Sequence, residues 1–470
     1  MESDPTRMCA LLVGLPDVTV LGVGDWPHWL RIEVACVTAG PSCTCGVVAH
    51  RHGVRRVVLV DLPCFGRPTR LVVHKQRWRC PTCRRSWTEQ DSRISSTRCA
   101  MTTRAARWAT VQVGRHGRAV SEVAADLGCD WHTVMDAVVV FGEPLIDDPA
   151  RYSVVNAVGL DETLYVREGR YRRQRWSTQV VDVECGQLLD VLDGKEVNTC
   201  CAWFAARPDG WCEQVAWATL DLSNAYRSVF DTMLPLAVQV ADPFHVVRLA
   251  TAALDECRRR VQNELFGHRG RKDDPLYRAR RLLVMAAERL SDEGMERLRG
   301  LLAAGDPARE VWFAWNAKEI VRQIYDHTDP ELAAAWVAEI VRDFTDESMP
   351  FEVRRLGRTI GKWAAQIVAW HQSHVSNGPT EAINNLVKRV KRTAFGFRRF
   401  EHYRIRALLY AGRPNWVTPR PTHPTLKSEA PVSLPINQQL MGHADPRTTS
   451  IYTAVHAHDL TAALHDAGLT

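Results

Sequence analysis

No stretch of the chain approaches the roughly 20 consecutive apolar residues that a bilayer-crossing helix needs, so no membrane partner is expected. Residues 8–24 are apolar but broken by Pro16 and Asp17, with Glu2 and Asp4 ahead. They read as a strand or turn, not as a targeting segment. Cysteine is missing from everything after residue 257. All 14 lie before residue 258, neither evenly spaced nor paired like a secreted disulfide framework. A reducing cytoplasm is the expected compartment, with clustered cysteines serving as thiols or metal ligands. A strong charge bias is missing too. Lys+Arg number 60 against 54 Asp+Glu, a net +6, too small to name a partner. What is present is an ordinary globular composition, 46% hydrophobic and 24% charged, over 470 residues. That length holds two to four domains. The basic residues cluster at 51–56, 75–85, 167–175, 258–281 and 388–406, local patches able to face phosphates.

Two cysteine pairs stand out in the first 90 residues. Cys80-Pro-Thr-Cys83 is a CxxC on a knuckle-like turn after the strand pattern Leu71–Trp78, and Cys43-Thr-Cys45-Gly46 lies upstream. Two pairs joined by a strand hairpin make a tetrahedral thiolate site for Zn²⁺, as in zinc ribbons. The first pair is one residue tighter than a usual knuckle, so Cys36 and Cys64 are alternative ligands. Residues 118–141 read as helix-turn-helix, with Ala124 and Val134 packing and Gly128 turning. Asp130 caps the second helix and leaves Trp131, His132 and Thr133 at its exposed start, the candidate DNA-reading residues. A preceding helix from Thr102 to Val113 completes a three-helix unit.

From about residue 151 the pattern changes. Val154–Leu160, Arg175–Val183 and Gln187–Leu192 read as strands, and a helix follows over Glu196–Arg207. Strand Val215–Leu222, helix Ala225–Leu234, strand Ala237–Ala241 and a long helix from His245 come next. Three strands and then alternation is the order of an RNase H-like α/β (α+β) fold. Residues 246–375, rich in Ala, Leu, Arg and Glu, form an all-α insertion whose tryptophans belong to its core. Arg258–Arg260 and Arg269–Lys272 are candidates to line a DNA channel.

Asp161 ends the first strand of that reading, and Asp221 sits in or at the end of the fourth. These are neighbouring strands, so the two carboxylates converge. Glu381 opens a later helix that carries Lys388, Arg389, Lys391 and Arg392. Three carboxylates holding two Mg²⁺ (or Mn²⁺) about 4 Å apart activate a water or a 3′-hydroxyl against a phosphodiester. Asp242, with His245 on the same turn, is the alternative second aspartate and otherwise a supporting pair. Glu162 reads as a capping acid or spare ligand, the capping role preferred, and Asp182 as solvent-facing.

These motifs together resemble the ISL3 family of bacterial insertion-sequence transposases over roughly residues 10 to 412. The resemblance rests on Leu-Asp-Glu at 160–162, Asp-Leu-Ser-Asn-Ala-Tyr at 221–226, Asp-Pro-Phe-His-Val at 242–246, and the run from Glu381 to Arg392. Phe395-Gly-Phe397 continues it. It implies a DDE-type enzyme with Asp161, Asp221 and Glu381 as the triad. Such an enzyme binds terminal inverted repeats, cuts the element's ends and joins them to target DNA, as a homodimer or larger synaptic complex on the bacterial nucleoid. The implied plan is a zinc-ribbon-like module (1–90), a helix-turn-helix (91–150) and a catalytic domain (151–412) with its insertion at about 246–375. After a Pro-rich linker (413–435), residues 436–470 resemble a fragment of a tyrosine recombinase, matching His443 and Tyr452 but lacking the arginine box. Two other readings are a DNA-binding regulator with an inactive nuclease domain and, through that tail, a tyrosine recombinase.

Overall fold

A computed structural model describes residues 4–416 apart from 16, 37–39, 97–98 and 153. The tail carrying His443 and Tyr452 lies outside the described residues. Two compact units emerge: one of residues through Arg151 together with those from Asn385 onward, the other Tyr152–Asn384.

The first unit holds a five-stranded sheet, β1 (Val18–Trp26), β2 (Trp29–Cys36), β3 (His50–Cys64), β4 (Arg67–Arg79) and β5 (Ser86–Thr88). The strand order is β1-β2-β4-β3, with β5 paired to β4. Ile32, Val34, Leu59, Leu71 and Val73 alternate onto one buried face. Residues 18–24 lie in β1 as the strand-or-turn expectation has it, but 8–13 depart from it. Asp4 caps a helix over Pro5–Val13 by accepting from the Thr6 amide, and Gly14 closes it in the left-handed region, before β1 begins.

Three helices follow, Thr103–Gly114, Val120–Leu127 and Trp131–Ile146. Gly128 adopts φ +60 in the turn, and the Asp130 carboxylate accepts from the Thr133 amide at 2.8 Å and from its hydroxyl at 3.0 Å. Arg70 of β4 donates to the Leu127 carbonyl at 3.1 Å, tying the helical unit to the sheet. A last helix, Phe400–Ala411, packs on the first and third of these helices. Gly114 and Gly142 leave the room that Leu409 fills.

The second unit is built on the sheet order β10-β9-β6-β7-β8, with β6 (Ala157–Glu168), β7 (Arg173–Asp182), β8 (Gln187–Asp193), β9 (Trp217–Leu220) and β10 (Val238–Ala241). β6, β7 and β8 form an antiparallel meander, and β9 and β10 join parallel. This is the RNase H-like order. Val158, Leu160, Val180, Ala218 and Leu220 enter one core, continuous with the helical insertion. That insertion runs from Pro243–Phe266 through six further α-helices to Ala364–Ser373. Trp315 and Trp363 are buried in it, as expected of core residues. Helix Gly378–Thr393 follows.

Candidate active site and nucleic-acid interface

The first aspartate is not where the sequence pattern ended. β6 continues to Glu168, and Asp161 lies mid-strand, paired with Gln179 of β7. The parallel partner β9 covers only Ala157–Gly159, so Asp161 lies just beyond that pairing. Gly159 pairs with Thr219. Two residues further along each chain are Asp161 and Asp221, side by side and on the same face.

Burial, and then the charge of Asp221, push the Asp161 carboxyl up to about 6. Burial also raises Asp221, and the neighbouring His245 lowers it. Asp221 Oδ1 is buried without a hydrogen-bond partner. Such an oxygen is costly unless something supplies positive charge.

The face that holds these carboxylates is covered by the start of helix Gly378–Thr393. A β-carbon on Gly159 would meet Thr380 Oγ1 at 2.5 Å, so the glycine lets the helix lie directly on the strand. Asn377, just before the helix, accepts from Thr219 Oγ1 at 3.2 Å and donates its amide to Asp242 Oδ1 at 3.0 Å. One turn on, Asn384 Nδ2 donates to Asp161 Oδ2 at 2.5 Å. Asn384 is 2% exposed and its Oδ1 has no partner. Sequence reasoning assigned no role to Asn377, Thr380 or Asn384. The helical spacing of Thr380 and Asn384 was the available signal.

Glu381 is in the first turn of that helix and exposed. Residues three apart share a helix face, so it lies beside Asn384. Among the described residues, the group of metal-ligating side chains with ligand atoms within 4.8 Å of one another is Cys43, Cys45, Cys80 and Cys83. Asp161, Asp221 and Glu381 are not gathered that tightly.

Asp242 is 5% exposed and fully engaged. It caps helix Pro243–Phe266 by accepting from the His245 amide at 3.3 Å, meets His245 Nδ1 at 3.0 Å and holds the Asn377 amide. That contact with Asp242 raises His245, reinforced by Asp221 and Asp161. The imidazole is thus held more basic beside the aspartates. Glu162 points to the opposite sheet face, accepting from the Tyr226 hydroxyl at 2.8 Å.

Two expectations are corrected. Asp182 is 5% exposed rather than solvent-facing, because its carboxylate accepts from the Glu184 and Cys185 amides of the next turn. Arg258 is buried against Asp255 and Gln262. Arg260 spans Glu264, Glu310 and Glu352. Arg260 binds three helices together and Arg258 is held within its own, so neither lines a channel.

In the first unit, Cys43 Sγ lies 3.4 Å from Cys83 Sγ, and Cys45 Sγ lies 3.5 Å from Cys80 Sγ. Thiolates at about 2.3 Å from a tetrahedral Zn²⁺ sit slightly farther apart than this, so the four fit one ion. Cys36 and Cys64 lie in β2 and at the end of β3 and are not part of the group. Trp131 and His132 are exposed at the start of the third helix. The Thr133 hydroxyl is occupied by Asp130. The Trp131 ring lies 5.7 Å from that of His402. Lys388, Arg389 and Arg392 are exposed on the last turns of helix Gly378–Thr393, and Lys391 is half-buried.

A family profile described as a transposase, the ISL3 DDE type, matches residues 158–407. A second, the zinc-finger of transposase IS204/IS1001/IS1096/IS1165, matches residues 41–83. The chain is 24% identical over 388 residues to the transposase for insertion sequence element IS1001 of Bordetella parapertussis, covering 79% of this chain and 88% of that protein. It is 28% identical over 299 residues to the transposase for IS1557 from two strains of Mycobacterium tuberculosis, covering 59% of this chain and 65% of theirs. The zinc-finger match and the cysteine cluster together make the amino-terminal module a zinc-binding one. Neither profile reaches residues 436–470, and the tyrosine-recombinase resemblance of that tail is not borne out.

Proposed function

The chain belongs to the ISL3 family of transposases, and from that premise we propose that Asp161, Asp221 and Glu381 hold divalent metal for cleavage and joining of DNA at the inverted repeats of an insertion sequence. The observation that carries this reading is the buried pair Asp161–Asp221, with Asp161 pushed up to about 6 and one Asp221 oxygen unpartnered. Two adjacent carboxylates that resist ionisation are a cation site by their chemistry. When bound, Mg²⁺ or Mn²⁺ supplies a Lewis acid that lowers the pKa of water and neutralises charge on a phosphodiester.

The protein's own groups orient the site. Asn384 fixes Asp161, Asp242 and Asn377 fix the start of the helix, and His245 offsets negative charge beside Asp221. Glu381 completes the ligand set from the helix whose later turns carry Lys388, Arg389, Lys391 and Arg392, which bind phosphates. Trp131 and His132 meet the inverted repeat from the helix-turn-helix. Two element ends are processed together, so at least a dimer acts.

The test is cleavage and strand transfer on the element's own ends with Mg²⁺. Wild type and Tyr452→Phe are expected to be active and Glu381→Ala inactive. Activity surviving Glu381→Ala sinks the metal-triad reading, and loss in Tyr452→Phe alone restores the recombinase. Specific end binding without cleavage by wild type would favour the regulator reading, which the presence of all three carboxylates speaks against.

A further inference from the structure

One aromatic side chain in the first unit has no structural task. Phe395 is 98% exposed, in the turn between helix Gly378–Thr393 and helix Phe400–Ala411. Its neighbour Phe397 packs 5.4 Å from Tyr403 and takes Arg406 over its ring. Phe395 also sits in an unfavourable backbone state, φ +54. The Gly396 amide donates to the Lys391 carbonyl at 3.1 Å and the Phe395 amide to that of Arg392 at 3.0 Å. This pattern closes a helix with its left-handed residue at Phe395, a position that favours glycine. A phenylalanine there adds backbone strain and exposes a large apolar ring to water, so local stability does not explain its presence.

The surroundings are cationic. Lys388, Arg392, Arg398 and Arg399 are all exposed, and among the described residues none of them forms an ion pair with a carboxylate. His402, just beyond this turn, meets Trp131 at the exposed start of the third helix of the helix-turn-helix. The turn is therefore continuous with the surface that presents Trp131 and His132.

We propose that Phe395 is a base-stacking wedge: its ring packs against a base unstacked at the element's end, while Lys388, Arg392, Arg398 and Arg399 hold the flanking phosphates. An exposed apolar ring in a turn flanked along the chain by unpaired cations matches the chemistry of nucleic acid, a π-face between anionic phosphates. The inference rests on the reading that the chain acts on DNA ends.

The test uses the full-length protein and an end duplex carrying 2-aminopurine at its terminal positions, without metal. Wild type is expected to raise the fluorescence as the base unstacks, and Phe395→Gly to abolish the rise. Phe395→Trp is expected to keep it. Cleavage with Mg²⁺ falls roughly 10- to 100-fold in Phe395→Gly, while its melting temperature stays level or rises because glycine suits the backbone. A full fluorescence rise or wild-type cleavage in Phe395→Gly overturns the proposal. So does a change in subunit assembly by light scattering with fluorescence intact, which would make the ring a protein contact. Wild type that unstacks the base yet never cleaves would instead fault the proposed function, and the wedge would stand.

Discussion

The cysteine cluster of the first sheet and the carboxylates of the second are finished to different degrees. Four thiols already lie within 4.8 Å of one another, two of them, Cys43 and Cys80, buried. Of the acids, Asp161 and Asp221 are adjacent while Glu381 stays in solvent on its helix. A site whose ion is part of the fold is closed by its own chain. A site whose ion meets a substrate keeps a position open. The difference is one of permanence: the thiols enclose the metal that holds their module, whereas under the proposed function the carboxylates would meet theirs together with the DNA.

The sharpest way to break that comparison is to remove a thiol. Cys83→Ser is expected to unfold the 41–83 module, because structural zinc contributes on the order of 10 kcal/mol to such folds. Inverted-repeat binding in a gel-shift assay disappears with it. A protein that loses zinc but binds its ends normally would show that the module is not held by metal.

Asp221→Asn attacks the other side and separates function from stability. Cleavage falls roughly 1,000-fold with the lost charge stabilisation. The sign for stability is opposite. Asp161 titrates near 6 in the fold against an ordinary 3.8, so the folded, metal-free protein binds the extra proton. The contribution of Asp161 to stability is full below about 3.8 and is lost as pH rises through about 6. Asp221→Asn removes the charge that raises Asp161. The variant therefore melts higher than wild type at pH 7 without metal, shows a shallower loss between those values and no longer gains from Mg²⁺. Calorimetry across pH, with and without Mg²⁺, reads all three. Unchanged Mg²⁺ stabilisation in Asp221→Asn, with loss in Asp242→Asn, would move the second ligand to Asp242.

The smallest effect is expected at Asn384. Asn384→Ala removes the donor that holds Asp161, and Mn²⁺ affinity by titration drops about 10- to 100-fold with little change in melting temperature. An unchanged affinity would make the contact a packing detail.

Much of this was legible because its causes are local. Asp130 as a cap, Gly128 as a turn, the CxxC knuckle and the alternation of strand and helix in the second unit all depend on near neighbours in sequence. What was not legible depends on partners far along the chain. β6 seemed to stop at Asp161 because its apolar run stops there, yet pairing with β7 carries the strand on through Glu162 and Thr163. Asp242 offered a carboxylate at a strand end like Asp221. Its cap on the next helix is local, but the Asn377 amide that takes its other oxygen comes from 135 residues away. Arg260 looked like part of a basic patch until Glu310 and Glu352 were brought beside it. The helix over Pro5–Val13 was written in Asp4, Pro5 and Gly14 and was overlooked in favour of apolar content.

Anyone moving this acid pair into another scaffold would have to move a missing methyl group with it. Gly159 sets how near the Thr380 helix can come to β6, and Asn384 reaches Asp161 only from that distance. An alanine at the same point, harmless in most strands, would act as a shim under the helix. The carboxylates would remain in place with nothing to aim them, so copying the ligands alone would not copy the site.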